Sequence, residues 1–184
     1  MARNVLIMGP PGSGKGTQAA RIAERRELAH ISTGDMLRAA MKAGSELGNR
    51  VKDVVDRGDL VPDDLMLELV LDRLGQPDAA NGFLLDGFPR TVAQAIALVE
   101  ALEGDQILER IILLEVPDEV LVERALSRGR ADDTEDTIRH RLRVYIESTR
   151  PVLEALDGKL DRVDIDGVGG IDEITVRIEE ALDA

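Results

Sequence analysis

The sequence predicts an α/β fold, a five-stranded parallel sheet with helices on both faces. Three observations point there. Short apolar runs alternate with helix-period segments along the whole chain. The runs are apolar at successive positions, as strands buried on both faces must be. The first run, Val5-Leu6-Ile7-Met8, passes straight into a glycine-rich loop that opens an amphipathic helix.

Taken in order, the runs at 5–8, 83–85, 110–114 and 162–165 read as buried strands, with a shorter candidate at 30–32. Helical periodicity covers 15–27, 34–43, 46–57, 62–74, 91–103, 118–127, 135–156 and 171–182. No repeat, low-complexity tract or linker divides residues 1–184, so a single domain is expected. Two stretches break the rhythm. Residues 34–74 hold three short helices between strands, more than a crossover needs, and 128–135 form a short charged loop before the longest helix. Insertions at strand ends are where mobile covers over active sites are found. Gly34, Gly44, Gly48 and Gly58 read either as hinges of the first insertion or as helix caps.

Composition narrows the chemistry. Apolar residues make up 43% and aromatics only 2%, so the core must be built from Leu, Ile, Val and Ala. The absence of cysteine excludes disulfides, thiol catalysis and Cys-based zinc sites. Neither a signal peptide nor an apolar run near the roughly 18 residues of a membrane span is seen, which predicts a soluble cytoplasmic protein. A net charge of −13 argues against nucleic-acid and membrane partners. The basic residues comprise 19 Arg and 4 Lys, and an anionic substrate must be drawn in by a local cluster of them.

The loop Gly9-Pro10-Pro11-Gly12-Ser13-Gly14-Lys15-Gly16-Thr17 carries the most chemistry. Its glycines let backbone N–H groups approach a phosphate, the helix dipole favours negative charge, and Lys15 adds a mobile cation. The hydroxyl follows one residue later than in the common pattern, at Thr17, with Gly16 between. That spacing suits a magnesium ion held by phosphates and water. In Gly82-Phe83-Leu84-Leu85-Asp86 an acid ends an apolar strand, at the edge that faces the ligand crevice and where a carboxylate can hold Mg²⁺ waters. Gly87-Phe88-Pro89-Arg90 follows and sets a guanidinium, with its planar fork for phosphate oxygens, at the same edge. Arg124 and Arg128 share a helix face, and Arg130 and Arg141 follow in and after the charged loop. In Ile31-Ser32-Thr33-Gly34-Asp35-Met36-Leu37-Arg38, Thr33 or Asp35 reads as a helix cap, with Arg38 about one turn in. His30 and His140 read as packing or surface residues.

In combination, GPPGSGKGTQ, ISTGDMLR, GDLVPDDL, NGFLLDGFPRTVAQA and the GRADDT…RHR segment resemble the adenylate kinases, in order and spacing over nearly the whole chain. The resemblance implies a P-loop core at 1–31, 62–126 and 136–184, a helical AMP-binding insert at 32–61 and a short lid at 127–135. It implies reversible phosphoryl transfer from MgATP to AMP, giving two ADP, by a monomer. Gly12, Ser13, Gly14, Lys15, Gly16 and Thr17 would cradle the ATP phosphates, and Lys15 would bridge towards the transferred group. Thr33, Arg38, the backbone of Asp59, Leu60 and Val61, then Gly87, Phe88, Pro89, Arg90 and Gln94 would hold AMP. Arg124 and Arg128 would touch ATP phosphates, while Arg130 and Arg141 would reach AMP or the moving phosphoryl group. Asp86 would order the magnesium waters, Asp132 and Asp133 would stabilise lid closure, and Gly169 would lie against the ATP adenine.

The chemistry agrees with that implication. A phosphate oxygen is already anionic, so the reaction needs fixed cations and exclusion of water rather than a strong general base. Gln94 offers an amide able to pair with an adenine edge. Relatives acting on UMP or CMP usually have Ala where Thr33 stands, so Thr33 with Gln94 favours AMP. The short connection between Arg128 and Asp132 resembles the short-lid form, which predicts no structural zinc, and the Phe88-Pro89 bond is expected to be cis. The alternatives are a UMP/CMP kinase and a nucleotide-binding switch that does not turn over. Against the switch, the chain has no Asn-Lys-x-Asp base-reading motif and retains Lys15, Arg90 and the lid arginines.

Overall fold

The computed structural model of the chain describes residues 3–102, 104–130 and 133–184. Strand β1 (Asn4–Met8) lies at the centre of a five-stranded parallel sheet of order β2-β3-β1-β4-β5. β2 (Ala29–Ser32) and β3 (Phe83–Asp86) lie on one side of it, β4 (Arg110–Glu115) and β5 (Asp161–Asp166) on the other. Val5 is level with Leu84 and Leu6 with Ile111, so β1 is paired along both edges. Every side chain of β1 and β3 is buried, which explains their unbroken apolar runs. The chain builds one half of the sheet before crossing to the other, and ligands of such sheets bind at the carboxyl ends of the strands.

Side-chain alternation divides the core in two. Val5, Ile7, Leu84 and Ile112 face α1 (Lys15–Arg26) and α9 (Ile171–Asp183), meeting Ile22, Ile174 and Ile178. Leu6, Met8, Leu85 and Ile111 face the opposite layer, which includes α4 (Asp63–Leu74) and α5 (Val92–Ala101). Both phenylalanines, Phe83 and Phe88, are buried in that second layer. Gln18 ties α1 to α9, donating to the Ile171 carbonyl at 3.0 Å and accepting from Thr175 Oγ1 at 2.8 Å.

Between β2 and α4 lie α2 (Thr33–Lys42) and α3 (Glu46–Arg57). They pack closely because Gly48 has no side chain, where a Cβ would run into the Ala40 carbonyl. Gly44 turns between the two helices and Gly58 caps α3 in a left-handed conformation, so these two bound elements while Gly48 is a packing residue. The cap of α2 is Ser32, which accepts from the Asp35 N–H at 3.4 Å, rather than Thr33 or Asp35. Short 3₁₀ turns at Pro77–Asn81 and Gly104–Gln106 precede β3 and β4, unsignalled by periodicity.

After β4 come α6 (Asp118–Ser127) and α7 (Glu135–Val144). The continuous helix expected over 135–156 is interrupted. A π turn at Tyr145–Thr149 separates α7 from α8 (Pro151–Ala155). Pro151 brings no N–H and its ring crowds the carbonyl four residues back, so the ladder widens there; Arg150 N–H reaches Tyr145 O at 2.8 Å.

Candidate active site

At the carboxyl end of β1 the loop reverses tightly, with Ser13 N–H donating to Pro10 O at 3.1 Å. Gly12 has φ +89°, and a Cβ there would run into the Leu121 carbonyl, so only glycine lets the loop lie against α6. Gly14 caps α1 in a left-handed conformation with no side-chain cap bond, leaving the first-turn N–H groups to an anion. Ser13 Oγ is buried without a hydrogen-bond partner. Lys15 Nζ lies 3.5 Å from Pro10 O. Burial lowers its pKa from 10.5 to about 8; Asp86 opposes the shift, while Arg90, Arg128 and Arg130 add to it. Gly16 leaves room beside Asp86, whose Oδ2 would lie 3.3 Å from a Cβ, and Thr17 is exposed one residue on.

Asp86 closes β3 only 6% exposed, with Oδ1 unpartnered. A buried carboxylate oxygen without a donor is costly unless a ligand supplies one. It fits the water shell of a magnesium ion held on phosphates, and Asp86 is the residue that would order that shell. Among the described residues no group of three or more His, Cys, Asp or Glu is clustered to cage a metal directly.

Beyond Asp86 the chain turns through a cis Phe88-Pro89 bond, as expected. Arg90 is held by its own neighbourhood: Nε donates to Gly87 O at 2.7 Å, and its carbonyl accepts from Thr149 Oγ1 at 3.0 Å. Burial lowers its pKa, opposed by Asp86 and reinforced by Arg141 and Arg38. Thr33 Oγ1 donates to the same Gly87 carbonyl at 2.9 Å, which leaves its lone pairs to accept. Gln94 is no surface residue; it is 2% exposed, with Oε1 accepting from Arg90 N–H at 2.7 Å and Nε2 donating to Asp63 Oδ1 at 2.7 Å.

Lys15, Arg38, Arg90, Arg128, Arg130 and Arg141 all line one cavity, together with Thr33, Gly87, Phe88, Pro89, Gln94 and Asp59 to Val61. Arg38 is paired with Asp35 at 2.5 Å. Asp133, its carboxylate fully buried, takes Arg128 at 2.9 Å and Arg141 at 3.1 Å. Arg130 has a lowered pKa, first from burial and then from Arg38 and Arg128. Asp132 lies outside the described residues. Asp59 accepts from Arg57 at 3.0 Å and is 2.7 Å from His140 Nε2, and these contacts, His140 foremost, lower its pKa. His140 thus joins α7 to the chain after α3, a role that its isolated place in the sequence did not signal. Tyr145 and Thr149 reach the same cavity through the π turn. The sequence feature that marks them is Pro151, which cannot continue the helical ladder.

Arg124 stands apart from the other cations. Its Nη1 donates to Gly167 O at 2.8 Å, tying α6 to the loop after β5. Arg177 braces that loop, donating to Val168 O at 2.6 Å and Asp166 O at 2.8 Å. Gly169 sits exposed at its tip with φ +130°.

A parallel sheet whose central strand enters a glycine-rich anion loop, with an acid at the end of the neighbouring strand, defines a P-loop nucleotide-binding protein. Comparison with known proteins narrows the class. A family model described as adenylate kinase matches residues 7–159. The adenylate kinase of Stenotrophomonas maltophilia is 51% identical over 185 residues, covering 98% of this chain and 99% of the relative. Those of Xanthomonas campestris pv. campestris and Xanthomonas oryzae pv. oryzae are also 51% identical, covering 97% of this chain and 98% of each relative. The chain belongs to the adenylate kinase family.

Proposed function

We infer that the protein transfers the terminal phosphoryl group of MgATP reversibly to AMP, yielding two ADP. The observation that carries this reading is the cavity itself. Six cationic side chains line it in a chain of net charge −13, beside a buried amide. That is more positive charge than one phosphate group needs, and suits the approach of two phosphate-bearing nucleotides.

In this reading the N–H groups of Gly12 to Thr17 hold the ATP phosphates, and Lys15 follows the transferred group. Arg128 meets the same phosphates, as does Arg124 from beside the Gly167 loop, while Gly169 lies near the ATP adenine. Thr33, Arg38, the 59–61 backbone, Gly87 to Arg90 and Gln94 hold AMP. Arg90, Arg130 and Arg141 flank the group in flight. Mg²⁺, with its waters ordered by Asp86, neutralises phosphate charge when bound. The AMP segment corresponds to 32–61 and the lid to 127–135, and Asp133 with Asp132 favours lid closure. Lid closure excludes the water that would otherwise receive the phosphoryl group.

One chain supplies every cation, so we place the activity in a monomer. Its substrates are cytoplasmic nucleotides, and its acidic surface disfavours nucleic acid and anionic membranes. Coupled assays offering ATP with AMP, UMP or CMP test the reading. AMP is expected to turn over fastest; faster turnover of UMP or CMP overturns it.

A further inference from the structure

The amide of Gln94 is held from behind by groups that permit only one orientation. An ionised carboxylate can only accept and a backbone N–H can only donate. Asp63 therefore fixes Nε2 at 2.7 Å, while Arg90 N–H fixes Oε1 at 2.7 Å. Asp63 is itself anchored, since Thr91 Oγ1 donates to its other oxygen at 3.0 Å. Thr91 also caps α5 by accepting from Gln94 N–H at 3.1 Å, which holds the backbone of the amide-bearing residue. Asp63 belongs to the first turn of α4 and does not line the cavity, so it lies behind the amide rather than beside a ligand.

Two hydrogen-bonding capacities of Gln94 remain: one N–H and one lone pair on the carbonyl. Adenine presents a donor, N6–H, beside an acceptor, N1. A 6-oxopurine presents the reverse, an acceptor O6 beside a donor N1–H. Pairing with the 6-oxopurine in the same place requires a flipped amide. The flip would set Nε2 against the Arg90 N–H and Oε1 against the Asp63 carboxylate, two repulsive contacts in a buried place.

We propose that Asp63 is a positioning residue that locks the Gln94 amide in its adenine-reading orientation and thereby excludes 6-oxopurine monophosphates. The proposal rests on the reading of Gln94 as the base contact of the monophosphate site.

The test compares kcat/KM for AMP and IMP, which differ only in the edge concerned, in the full-length enzyme and in Asp63→Asn, Asp63→Ala and Gln94→Leu. Removing the carboxylate removes one of the two contacts that forbid the flip. The AMP:IMP ratio is then expected to fall about tenfold in both Asp63 variants, chiefly through the KM for IMP. The alanine variant serves if the asparagine variant does not fold. A merely structural role would lower turnover of AMP and IMP alike along with Tm, leaving the ratio in place, and that result overturns the proposal. A ratio unchanged in the Asp63 variants but collapsed in Gln94→Leu refutes the role of Asp63 and leaves the base reading standing. A ratio unchanged in Gln94→Leu refutes the base reading, and the proposal with it.

Discussion

Removing the Arg90 side chain should abolish most activity while leaving the fold nearly as stable. Among the described residues the guanidinium makes one hydrogen bond, Nε to Gly87 O at 2.7 Å, and Arg90 lines the cavity. That carbonyl is not orphaned by Arg90→Ala, because Thr33 Oγ1 donates to it at 2.9 Å. The backbone bonds of residue 90 to Gln94 and Thr149 are also untouched. A charged hydrogen bond contributes about 1.5–3 kcal/mol. Against that loss stands relief of a buried charge whose pKa is lowered by burial and by Arg141 and Arg38. The two oppose each other, so the net loss stays below about 3 kcal/mol, a fall in Tm of less than roughly 10 °C for a chain this long. Catalysis has no such offset. An arginine on the transferred group supplies about 10³–10⁵ in rate, or roughly 4–7 kcal/mol. Steady-state kinetics with ATP and AMP, with calorimetric melting of the same samples, measures both quantities. Activity within tenfold of the parent would place Arg90 away from the reacting phosphoryl group. A Tm lower by more than about 10 °C would make it a structural residue.

Lys15 and Asp133 extend the argument. The folded apo-protein releases the Lys15 proton near pH 8 and the unfolded chain near 10.5, so the unfolded chain binds more protons between those values and stability rises with pH across them. The rise is at most about 3 kcal/mol, and Lys15→Met should abolish it in denaturant titrations. Bound phosphates return the proton to Lys15, so ATP binding at pH 8 should take up about half a proton, read by calorimetry in two buffers. Equal uptake in Lys15→Arg would refute this. Asp133→Ala removes the carboxylate that Arg128 and Arg141 share; kcat/KM should fall about 10²-fold through misplacement. Because Arg128 is partly exposed, the stability loss should be about 2 kcal/mol, below that of a fully buried pair. A loss in kcat/KM below threefold would remove Asp133 from the closure mechanism.

The strands and the anion loop were legible because both are local. Four buried residues followed by glycine, proline and lysine fix β1 and its turn within a single stretch of chain. Helix bounds at 46–57 and 118–127 matched because Ser45 and Pro117 mark the starts, and Gly58 marks the end of the first. The cations are legible one by one, but their convergence is not, since Arg38 and Arg141 lie far apart in the sequence and meet only in the folded cavity. The contacts behind them were hidden for the same reason. Asp63 meets Gln94 only because α4 packs on α5, and Asp59 meets His140 across 81 residues. Neither pair shares a helix face or a strand register, so no periodicity could announce it. The π turn was hidden differently: residues 135–156 keep helical spacing, and one proline changes the backbone without changing the apolar pattern.

The acidic chain and the cationic cavity belong to a single electrostatic arrangement. Asp35, Asp133 and Asp86, the carboxylates next to these cations, play two parts. Asp35 and Asp133 pair directly with Arg38, Arg128 and Arg141, fixing where those guanidinia point. Asp86 makes no such pair, and its free oxygen lies where Lys15 and Arg90 feel its charge. Lys15, Arg90 and Arg130 are all shifted downward, first by burial and then by neighbouring arginines (Arg90, Arg128 and Arg130 on Lys15, Arg141 and Arg38 on Arg90, Arg38 and Arg128 on Arg130), so the ligand-free cluster is held at a cost in self-repulsion. A buried cation without its own carboxylate keeps full affinity for an incoming phosphate, whereas a fully neutralised one would have to break a bond first. Arg141 reaches the Val55 carbonyl at 3.4 Å, and His140 touches Asp59, so α7 and the segment after α3 close against each other. In the proposed reaction one nucleotide would neutralise part of the cluster and a second the remainder, so that both are needed to offset its self-repulsion.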